Sequence, residues 1–347
     1  MKKSFWDNLE KPFFALAPMA DVTDAAFRFI IAKYGKPEVM FTQFVSCDGL
    51  CSAGKKALLI DLKYEETERP IVAQFFGAKP DNFYQCARLA VKLGFDGIDI
   101  NMGCPDKSVM KQCAGAALIK DPKLAAEIII ATKKGAGDLP ISIKTRTGDT
   151  KDNLKEWLPI LLEQKPAAIT VHARTRKEMS NVPAKWHLVK QAVAMAKGSG
   201  TLIIGNGDVK DLAEARQKAK ETGCDGVMLG RAIFGNPWLF AHLPERRVGA
   251  GFLPPLSQRL NVLVEHTKLF EKLLMQPAKG GSQSEADAPL EHASGGKNFA
   301  IMKKHFKAYV SGFDGAKELR IKLMATKNAK EVEEIIKEFL KTPKFPP

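Results

Sequence analysis

The first part of the chain, about 240 residues, alternates between short apolar segments rich in β-forming residues and longer segments with helical periodicity. We predict strands at residues 13–19, 39–45, 71–76, 97–102, 141–146, 168–173, 202–206 and 226–230, and helices that include 24–34, 81–93, 122–134, 153–164 and 211–222. Repeated strand–helix alternation gives right-handed crossovers and a parallel sheet. Eight repeats in this length predict an α/β fold of the (β/α)8, or TIM-barrel, type.

The alternative fold is a doubly wound open sheet, in which a ligand binds at one switch point of the strand order. Such a sheet often carries a glycine-rich phosphate loop after its first strand. No G-x-G-x-x-G follows the first predicted strand, and no G-x-x-x-x-G-K-[ST] occurs anywhere in the chain. Both absences favour the barrel.

The chain after Pro254 and Pro255 has a different pattern, without a convincing strand. Apolar residues recur there at helical spacing in four groups, which predict a small helical bundle. These groups are Val262, Leu263, His266, Leu269, Phe270 and Leu273; Phe299, Met302, Phe306, Tyr309 and Val310; Leu319 and Leu323; and Val332, Ile335, Ile336 and Phe339. We therefore predict a barrel over 1–250 and a helical domain over 251–347, interrupted by a flexible Gly- and Ser-rich loop at about 276–297.

The charge balance favours a polyanionic partner. The formal net charge is +14 and the isoelectric point about 9.4, which suits nucleic acid first and an anionic membrane surface second. Residues 297–330 hold nine Lys and Arg against two acidic residues. The excess is thus concentrated in the predicted helical domain.

Composition also bears on compartment. The apolar runs are too short to span a membrane, and Asp7 and Glu10 interrupt the N-terminal segment, so we expect no signal peptide and a cytoplasmic protein. The six cysteines have no histidine partners at zinc-finger spacing, and we predict no metal site. No feature points to an obligate protein partner.

The predicted strands deliver distinctive groups to one end of the barrel, where the active sites of this fold lie. Seven of the eight strands contribute: Ala17, Pro18, Met19 and Ala20 after the first; Gln74 on the third; Asn101, Met102, Gly103 and Cys104 at the end of the fourth; Lys144 and Arg146; His172 and Arg174; Asn206, Gly207 and Asp208; and Gly230 and Arg231. One such group could be an ordinary turn residue, but seven together favour a ligand site.

These groups suit one phosphorylated, planar ligand. The glycine-rich ends of the last two strands, with Arg231, resemble the usual phosphate site of a barrel. Gln74 can offer a donor and an acceptor to a heterocycle, and Lys144 can place positive charge beside a ring that gains an electron pair. FMN therefore fits better than a sugar phosphate.

Cys104 is the candidate reactive group, since it lies in a Gly-Cys-Pro turn at this end of the barrel. A thiol with an ordinary pKa near 8.5 is mostly protonated at neutral pH and can donate a proton. It can also act as a thiolate base or a nucleophile. The residue type and its position leave all three roles open.

The motifs APMADVTDAAFR, DINMGCP, IKTRTGD, TVHARTR, GNGD and GRAIFGNPW, in this order, resemble the tRNA-dihydrouridine synthase family. The match covers roughly residues 13–240. The segment HFKAYVSGFDGAKELRIKL resembles the family's helical tRNA-binding domain, most like the bacterial B-type branch.

The resemblance implies an FMN-dependent, NAD(P)-linked enzyme that reduces uridine to dihydrouridine in tRNA, with NADPH or NADH as reductant. FMN would be held by Pro18, Met19, Ala20, Gln74, Lys144, His172, Asn206, Gly207, Asp208, Gly230 and Arg231. Cys104 would be the general acid, protonating C5 as hydride reaches C6. Asn101, Arg146 and Arg174 would meet the uracil or neighbouring phosphates. The family commonly has glycine where this chain has Ala173, a difference that would move the backbone slightly away from a ligand.

Two other functions are compatible with parts of this pattern. A dihydroorotate dehydrogenase-like enzyme shares the barrel, the FMN and a cysteine loop, but it needs no basic helical domain. A non-catalytic RNA-binding protein on a barrel without activity would have no reason to keep Cys104, Lys144, His172 and Arg231 together.

Overall fold

The strands of the chain form a single parallel sheet that closes into a barrel. The computed structural model describes residues 4–241, 254–275 and 296–341. Its strands are β1 Phe13–Leu16, β2 Met40–Phe41, β3 Val45–Ser46, β4 Ile71–Phe76, β5 Gly97–Met102, β6 Ile141–Gly148, β7 Ala168–Thr175, β8 Leu202–Asn206 and β9 Gly226–Leu229. Their order is β1-β9-β8-β7-β6-β5-β4-β2, with β3 also paired to β4. A parallel bridge between Ala15 and Val39 closes the ring, so the predicted barrel is confirmed.

The strand predicted at 39–45 is divided in two. Both β2 and β3 pair with β4, and together they occupy one position in the barrel. Between them, the Thr42 hydroxyl accepts the backbone N–H of Gln74 at 3.0 Å, a side-chain bond where a continuous strand would make a backbone one. The first strand is also shorter than predicted and ends at Leu16, since Pro18 has no N–H to continue the ladder.

The barrel helices lie where the periodicity predicts them. The helices are α1 Ala25–Gly35, α2 Cys47–Leu50, α3 Lys55–Leu58, α4 Pro80–Lys92, α5 Lys107–Met110, α6 Pro122–Ala136, α7 Leu154–Glu163, α8 Trp186–Ala196, α9 Leu212–Thr222, α10 Leu256–Phe270, α11 Met302–Tyr309, α12 Ala316–Ala325 and α13 Ala329–Lys341. Shorter 3-10 turns cover Phe5–Asn8, Leu59–Leu62, Glu66–Glu68, Gly115–Lys120, Arg231–Ile233 and Phe299–Ile301, and Glu271–Met275 is π-helical. Asp24, Asp121 and Asp211 cap α1, α6 and α9 by accepting a backbone N–H, which satisfies part of each helix start.

Apolar side chains fill the barrel interior toward the N-terminal ends of the strands. Phe13 and Ala15 of β1 point inward and pack with Val72, Ile204 and Met228. The ring of Trp6 lies 5.8 Å from that of Phe13, beneath the same end of the barrel. The filled interior leaves the C-terminal ends of the strands as the place where a ligand can approach the barrel.

The four C-terminal helices occupy the predicted segments, and two of them, α10 and α11, pack onto α1. Phe27 of α1 stacks on His266 of α10 with ring centroids 5.0 Å apart, and it contacts His305 of α11 at 4.7 Å. One apolar core runs through both parts of the chain. The predicted boundary at 250 and residues 276–295 of the predicted loop lie outside the described residues. Lys297 is described, and its Nζ pairs with Asp61 at 2.6 Å.

Across the described ranges, no helix combines the length and the apolar character that a membrane crossing needs. The same residues contain no group of three or more His, Cys, Asp or Glu side chains placed to hold a metal ion.

Candidate active site

The C-terminal ends of β1, β6, β7, β8 and β9 surround a cavity of about 260 Å³. It is lined by Ala17, Pro18, Met19, Lys144, His172, Arg174, Ser180, Asn206, Gly207, Asp208, Val209, Met228, Gly230 and Arg231. The cavity thus brings together all the residues predicted to hold a cofactor except Ala20 and Gln74. Ala20 lies in an exposed turn beside it.

A larger depression of about 700 Å³ lies at the opposite end of the barrel. Four of its six charged side chains already have partners. Lys11 pairs with Asp225 at 2.7 Å, Glu38 accepts the N–H of Phe14 at 2.9 Å, and Arg216 stacks over the Phe14 ring. The depression is therefore a less suitable ligand site than the cavity at the strand ends.

Asp208 organises the cationic end of the cavity. Its carboxylate bonds to Arg231 at 2.7 Å and also pairs with Arg174. Burial works to raise the pKa of Asp208, but the hydrogen bond from Arg174 and the neighbouring charges bring it below its ordinary value. One ionised carboxylate therefore holds two guanidinium groups side by side. The Arg231 side chain remains 65% exposed and is therefore accessible to a ligand.

Gly207 allows the backbone to turn tightly at this end of the cavity. Its φ is +132°, and an added Cβ would lie 2.8 Å from the Cβ of Ala184 and 3.4 Å from the ring of His172. A side chain at this position would therefore crowd the wall of the cavity.

Lys144 brings a third cation to the cavity from β6. Its Nζ donates to Asn206 Oδ1 at 3.3 Å, while Asn206 Nδ2 donates to the carbonyl of Met228 at 2.8 Å and so fixes the amide. Burial, together with the charge of Arg146, lowers the pKa of Lys144 to about 8. Lys144 is thus still mainly protonated at neutral pH, and it carries its charge in a poorly solvated place.

His172 is the neutral member of the cavity wall. Burial, and then the charges of Lys144, Arg146 and Arg174, hold its pKa far below the ordinary value of 6.5. Its Nε2 lies 3.2 Å from Nη1 of Arg174. Because a guanidinium can only donate, Nε2 must accept and the ring proton lies on Nδ1. Ala173, between the two, points into the outer core and not into the cavity.

Cys104 follows β5 in a tightly held loop. Its N–H donates to Asn101 Oδ1 at 2.9 Å, and its carbonyl accepts the N–H of Ala116 at 3.0 Å. The thiol is partly exposed, and burial raises its pKa. At neutral pH it therefore carries its proton, which favours a proton donor over a thiolate among the three roles that the sequence left open.

The comparisons with known proteins place the chain in a family. The family model described as Dihydrouridine synthase (Dus) matches residues 15–344. The chain belongs to the dihydrouridine synthase family. It is 39% identical over 343 residues to a probable tRNA-dihydrouridine synthase of Staphylococcus aureus strain COL, covering 98% of this chain and 96% of that protein. It is 38% identical over 343 residues to the probable tRNA-dihydrouridine synthase 2 of Bacillus subtilis strain 168, covering 98% and 97%.

Among solved structures, the complex of 2-naphthoyl-CoA reductase with 2-naphthoyl-CoA is similar to this dihydrouridine synthase family member at a TM-score of 0.54. The identity is 12%, and the match covers 69% of this chain and 50% of that one. This likeness supports the barrel fold alone.

The residues predicted to contact the substrate lie in two different places in the structure. Arg174 lines the same cavity as the predicted cofactor residues. Arg146 is nearly buried and donates to the carbonyls of Gly103, Thr175 and Met179 at 2.8, 3.1 and 3.0 Å. It braces the loop that carries Cys104. Burial lowers its pKa to about 10, so Arg146 remains charged.

Gln74 and Asn101 lie beneath the Cys104 loop and not in the wall of the cavity. Both are bonded to each other, and Gln74 is also bonded to Asp99, a fully buried carboxylate that the sequence reasoning missed. The available signal was a carboxylate inside a buried parallel strand, two residues before Asn101 and so on the same face. Ser180, in the wall of the cavity, was also missed.

Proposed function

We propose that this chain reduces specific uridines of transfer RNA to 5,6-dihydrouridine, with FMN as its cofactor and NADPH or NADH as reductant. The observation that carries the proposal is the position of the partly exposed Cys104 thiol at the same end of the barrel as a cation-rich cavity. The names of the Staphylococcus and Bacillus relatives support the same activity.

The chemistry of the cavity suits FMN. Lys144, Arg174 and Arg231 bring three cations against the one carboxylate of Asp208, and an anionic phosphate would balance the excess. In this proposal the cofactor is held by the lining residues Pro18, Met19, Lys144, His172, Asn206, Gly207, Asp208, Gly230 and Arg231, with Ala20 beside the cavity and Gln74 beneath the Cys104 loop completing the set. Arg231 and the glycine backbone would serve the phosphate, and Lys144 the ring. Bound there, FMN would take a hydride from NADPH or NADH and supply it to C6 of the uracil.

Cys104 would complete the reduction by giving its proton to C5 of the uracil. Saturating the C5=C6 bond takes one hydride and one proton. A protonated donor is therefore required beside the uracil ring. The charges of Lys144 and Arg146 favour the thiolate that remains after the transfer. The thiol is therefore protonated before the reaction and its conjugate base is stabilised afterwards.

The basic helices would bind the tRNA. Lys303, Lys304 and Lys307 lie on α11 beside its buried apolar stripe, the first half-buried and the others exposed. Phosphate contacts from such lysines supply affinity that does not depend on base sequence. We assign the barrel, residues 1–250, to catalysis and residues 251–347 to tRNA binding. The target uridine would leave its stack to reach the cavity, where Asn101, Arg146 and Arg174 serve the nucleotide or the loops around it.

The test is a single-turnover oxidation of pre-reduced enzyme by unmodified tRNA, with NADPH absent. Positioned proton transfer contributes typically about 10²–10⁴ in rate, so Cys104→Ala should slow this oxidation by about that factor. Reduction of the flavin by NADPH should not change. Cys104→Ser should restore little, because a hydroxyl is a much weaker acid than a thiol.

Cys113→Ala is the matched control. Cys113 is an exposed cysteine in a turn nine positions further along the chain, and its removal should leave the tRNA-dependent step unchanged. If Cys104→Ala oxidises as fast as the native enzyme, the thiol is not the acid. If free orotate or uridine oxidises the native enzyme as fast as tRNA does, the dihydroorotate dehydrogenase-like alternative is the better reading.

A further inference from the structure

Four buried polar side chains form a continuous hydrogen-bonded chain beneath the Cys104 loop. Ser142 Oγ donates to Asp99 Oδ1 at 2.6 Å, and Gln74 Nε2 donates to Asp99 Oδ2 at 2.6 Å. Asn101 Nδ2 donates to Gln74 Oε1 at 3.2 Å. Asn101 Oδ1 then accepts the N–H of Cys104 at 2.9 Å. This series of hydrogen bonds therefore runs from the interior of the barrel to the backbone of Cys104.

The direction of every bond in this chain follows from one group. An ionised carboxylate can only accept, so Gln74 must turn its amino group toward Asp99 and its oxygen toward Asn101. Asn101 must then offer its amino group to Gln74 and its oxygen to the loop. That oxygen also accepts the N–H of Gly103 at 3.1 Å. If Asn101 turned over, its amino group would face the two backbone donors of the loop. If Gln74 turned over, its amino group would face that of Asn101, which would then have to turn over as well. In either case the loop would lose its anchor.

We propose that Asp99 is a positioning residue that sets the direction of this chain and thereby holds the Cys104 loop in place. The catalytic consequence rests on the proposed function of Cys104 as proton donor. Asp99 touches neither the loop nor the cavity. Its charge also acts on Lys144, but its hydrogen bonds reach the loop only through Gln74 and Asn101.

The surroundings of Asp99 suit this role. It is fully buried within β5, opposite Gln74 of β4 in the strand register. Burial raises its pKa to about 6, against the hydrogen bonds from Ser142 and Gln74 and the charge of Lys144, which lower it. Asp99 is therefore mainly ionised at neutral pH and above. A buried polar chain of this kind is retained only when each member has a partner.

Near-isosteric variants separate the direction of the chain from its charge and packing. In Asp99→Asn, the new amide can keep its oxygen toward Gln74 while its amino group donates to Ser142. The Ser142 hydroxyl can then turn to the carbonyl of Ile98, which lies 3.5 Å away. This variant should behave like the native enzyme. Ser142→Ala should do so at pH 8, where the carboxylate is ionised and still orients Gln74.

The double variant Asp99→Asn/Ser142→Ala should differ from both single variants. The native direction then leaves the new amino group without an acceptor, and the reversed direction leaves the loop N–H groups of Gly103 and Cys104 without one. Neither arrangement satisfies all the groups, so the preference for the native direction weakens. The effect of the two changes together should exceed the product of their separate effects.

The measurement is the rate of Cys104 alkylation by iodoacetamide at pH 8 in the FMN-loaded enzyme. Tryptic peptide 93–107 contains Cys104 and no other cysteine, so mass spectrometry reads this thiol alone. Each single variant should react within about 1.5-fold of the native rate, and the double variant about tenfold faster, well beyond the product of the two single effects, because a loosened loop exposes the thiol. The proposal would be overturned if the fold-change in alkylation rate of the double variant equalled the product of the fold-changes of the two single variants. A tenfold change in Asp99→Asn alone would also overturn it, since it would make charge the cause.

A second readout separates this proposal from the proposed function. In single-turnover oxidation by tRNA, the double variant should be slower by about tenfold, with flavin reduction by NADPH unchanged. If alkylation responds as expected but tRNA oxidation does not, Asp99 does position the loop and the acid role of Cys104 is wrong. If tRNA oxidation slows without any change in alkylation, the positioning proposal is wrong.

Discussion

Gly115 closes the loop that carries Cys104, and replacing it with alanine should displace that loop. Its φ is +62°, and an added Cβ would lie 2.8 Å from the Cys104 carbonyl oxygen and 2.8 Å from Cγ1 of Val109. The oxygen is not free to move, because it accepts the N–H of Ala116. A left-handed φ costs a non-glycine residue roughly 1–2 kcal/mol, and overpacking adds about 1–3 kcal/mol. Gly115→Ala should therefore lower the free energy of unfolding by about 2–5 kcal/mol.

Gly198→Ala separates these two costs. Gly198 has a φ of +80° and nothing within 4 Å of an added Cβ. Gly198→Ala should therefore lower the free energy of unfolding, measured with urea, only by the backbone cost of roughly 1–2 kcal/mol. If Gly115→Ala loses no more than Gly198→Ala, the loop accommodates the methyl group without cost and the packing argument is wrong.

The same change should impair the proton transfer that we assign to Cys104. A displacement of about 1 Å at a reacting group can cost about 10²-fold in rate, so Gly115→Ala should slow tRNA-dependent oxidation of the reduced enzyme by about 10- to 100-fold. The content of FMN and its reduction by NADPH should be unchanged, since Lys144 on β6 and Arg231 after β9 belong to other segments of the barrel. A native oxidation rate in a destabilised variant would refute the link between loop position and rate.

Arg231→Ala should weaken FMN binding by about 1.5–3 kcal/mol, because charge-assisted bonds are lost; titration with FMN measures this, and an unchanged affinity would place the phosphate elsewhere. Reversing Lys303, Lys304 and Lys307 to Glu should weaken tRNA binding and flatten its salt dependence, because fewer counterions are released. Equal loss of flavin reduction by NADPH would contradict that assignment. Burial holds the pKa of His266 well below 6.5, so the native state binds fewer protons than the unfolded chain. Its contribution to stability is complete above pH 6.5 and is lost as the pH falls, at about 1.4 kcal/mol per pH unit. In urea unfolding, His266→Phe should flatten this acid dependence, and an unchanged slope would show that another group causes it.

The barrel could be predicted because its strands are buried on both faces. Such strands appear in sequence as short continuous apolar runs, and β4, β5 and β8 have the predicted bounds. Helix starts were equally readable, since Asp24 and Asp211 accept the backbone bonds that such residues favour. These signals are local, and each is complete within one segment.

The division of the second strand was not predictable in the same way. Apolar residues flank the polar pair Thr42 and Gln43 within 39–45. The interruption of the strand depends on Thr42, whose hydroxyl bonds to Gln74 thirty-two positions away. The polar chain under Cys104 has the same character. Asp99 and Ser142 are adjacent only because β5 pairs with β6 in one register. The residue types at the predicted strand ends identify the side chains that face a ligand. They do not identify the buried side chains that orient those ligand-facing groups.

The C-terminal helices show how far local patterns reach. Their positions followed from apolar spacing, but their attachment did not, because Phe27 lies far along the chain from His266 and His305. This attachment matters for the proposed function. Helix α1 follows β1, whose end supplies Pro18 and Met19 to the cavity, and a salt bridge of 3.5 Å joins Lys304 to Asp21 in the same connection. Packing α10 and α11 on α1 therefore fixes the distance between the basic surface and the cavity. A tRNA bound on that surface would present to the cavity only nucleotides that lie at this fixed distance from its binding site. Such a fixed distance is required if the enzyme is to modify specific uridines.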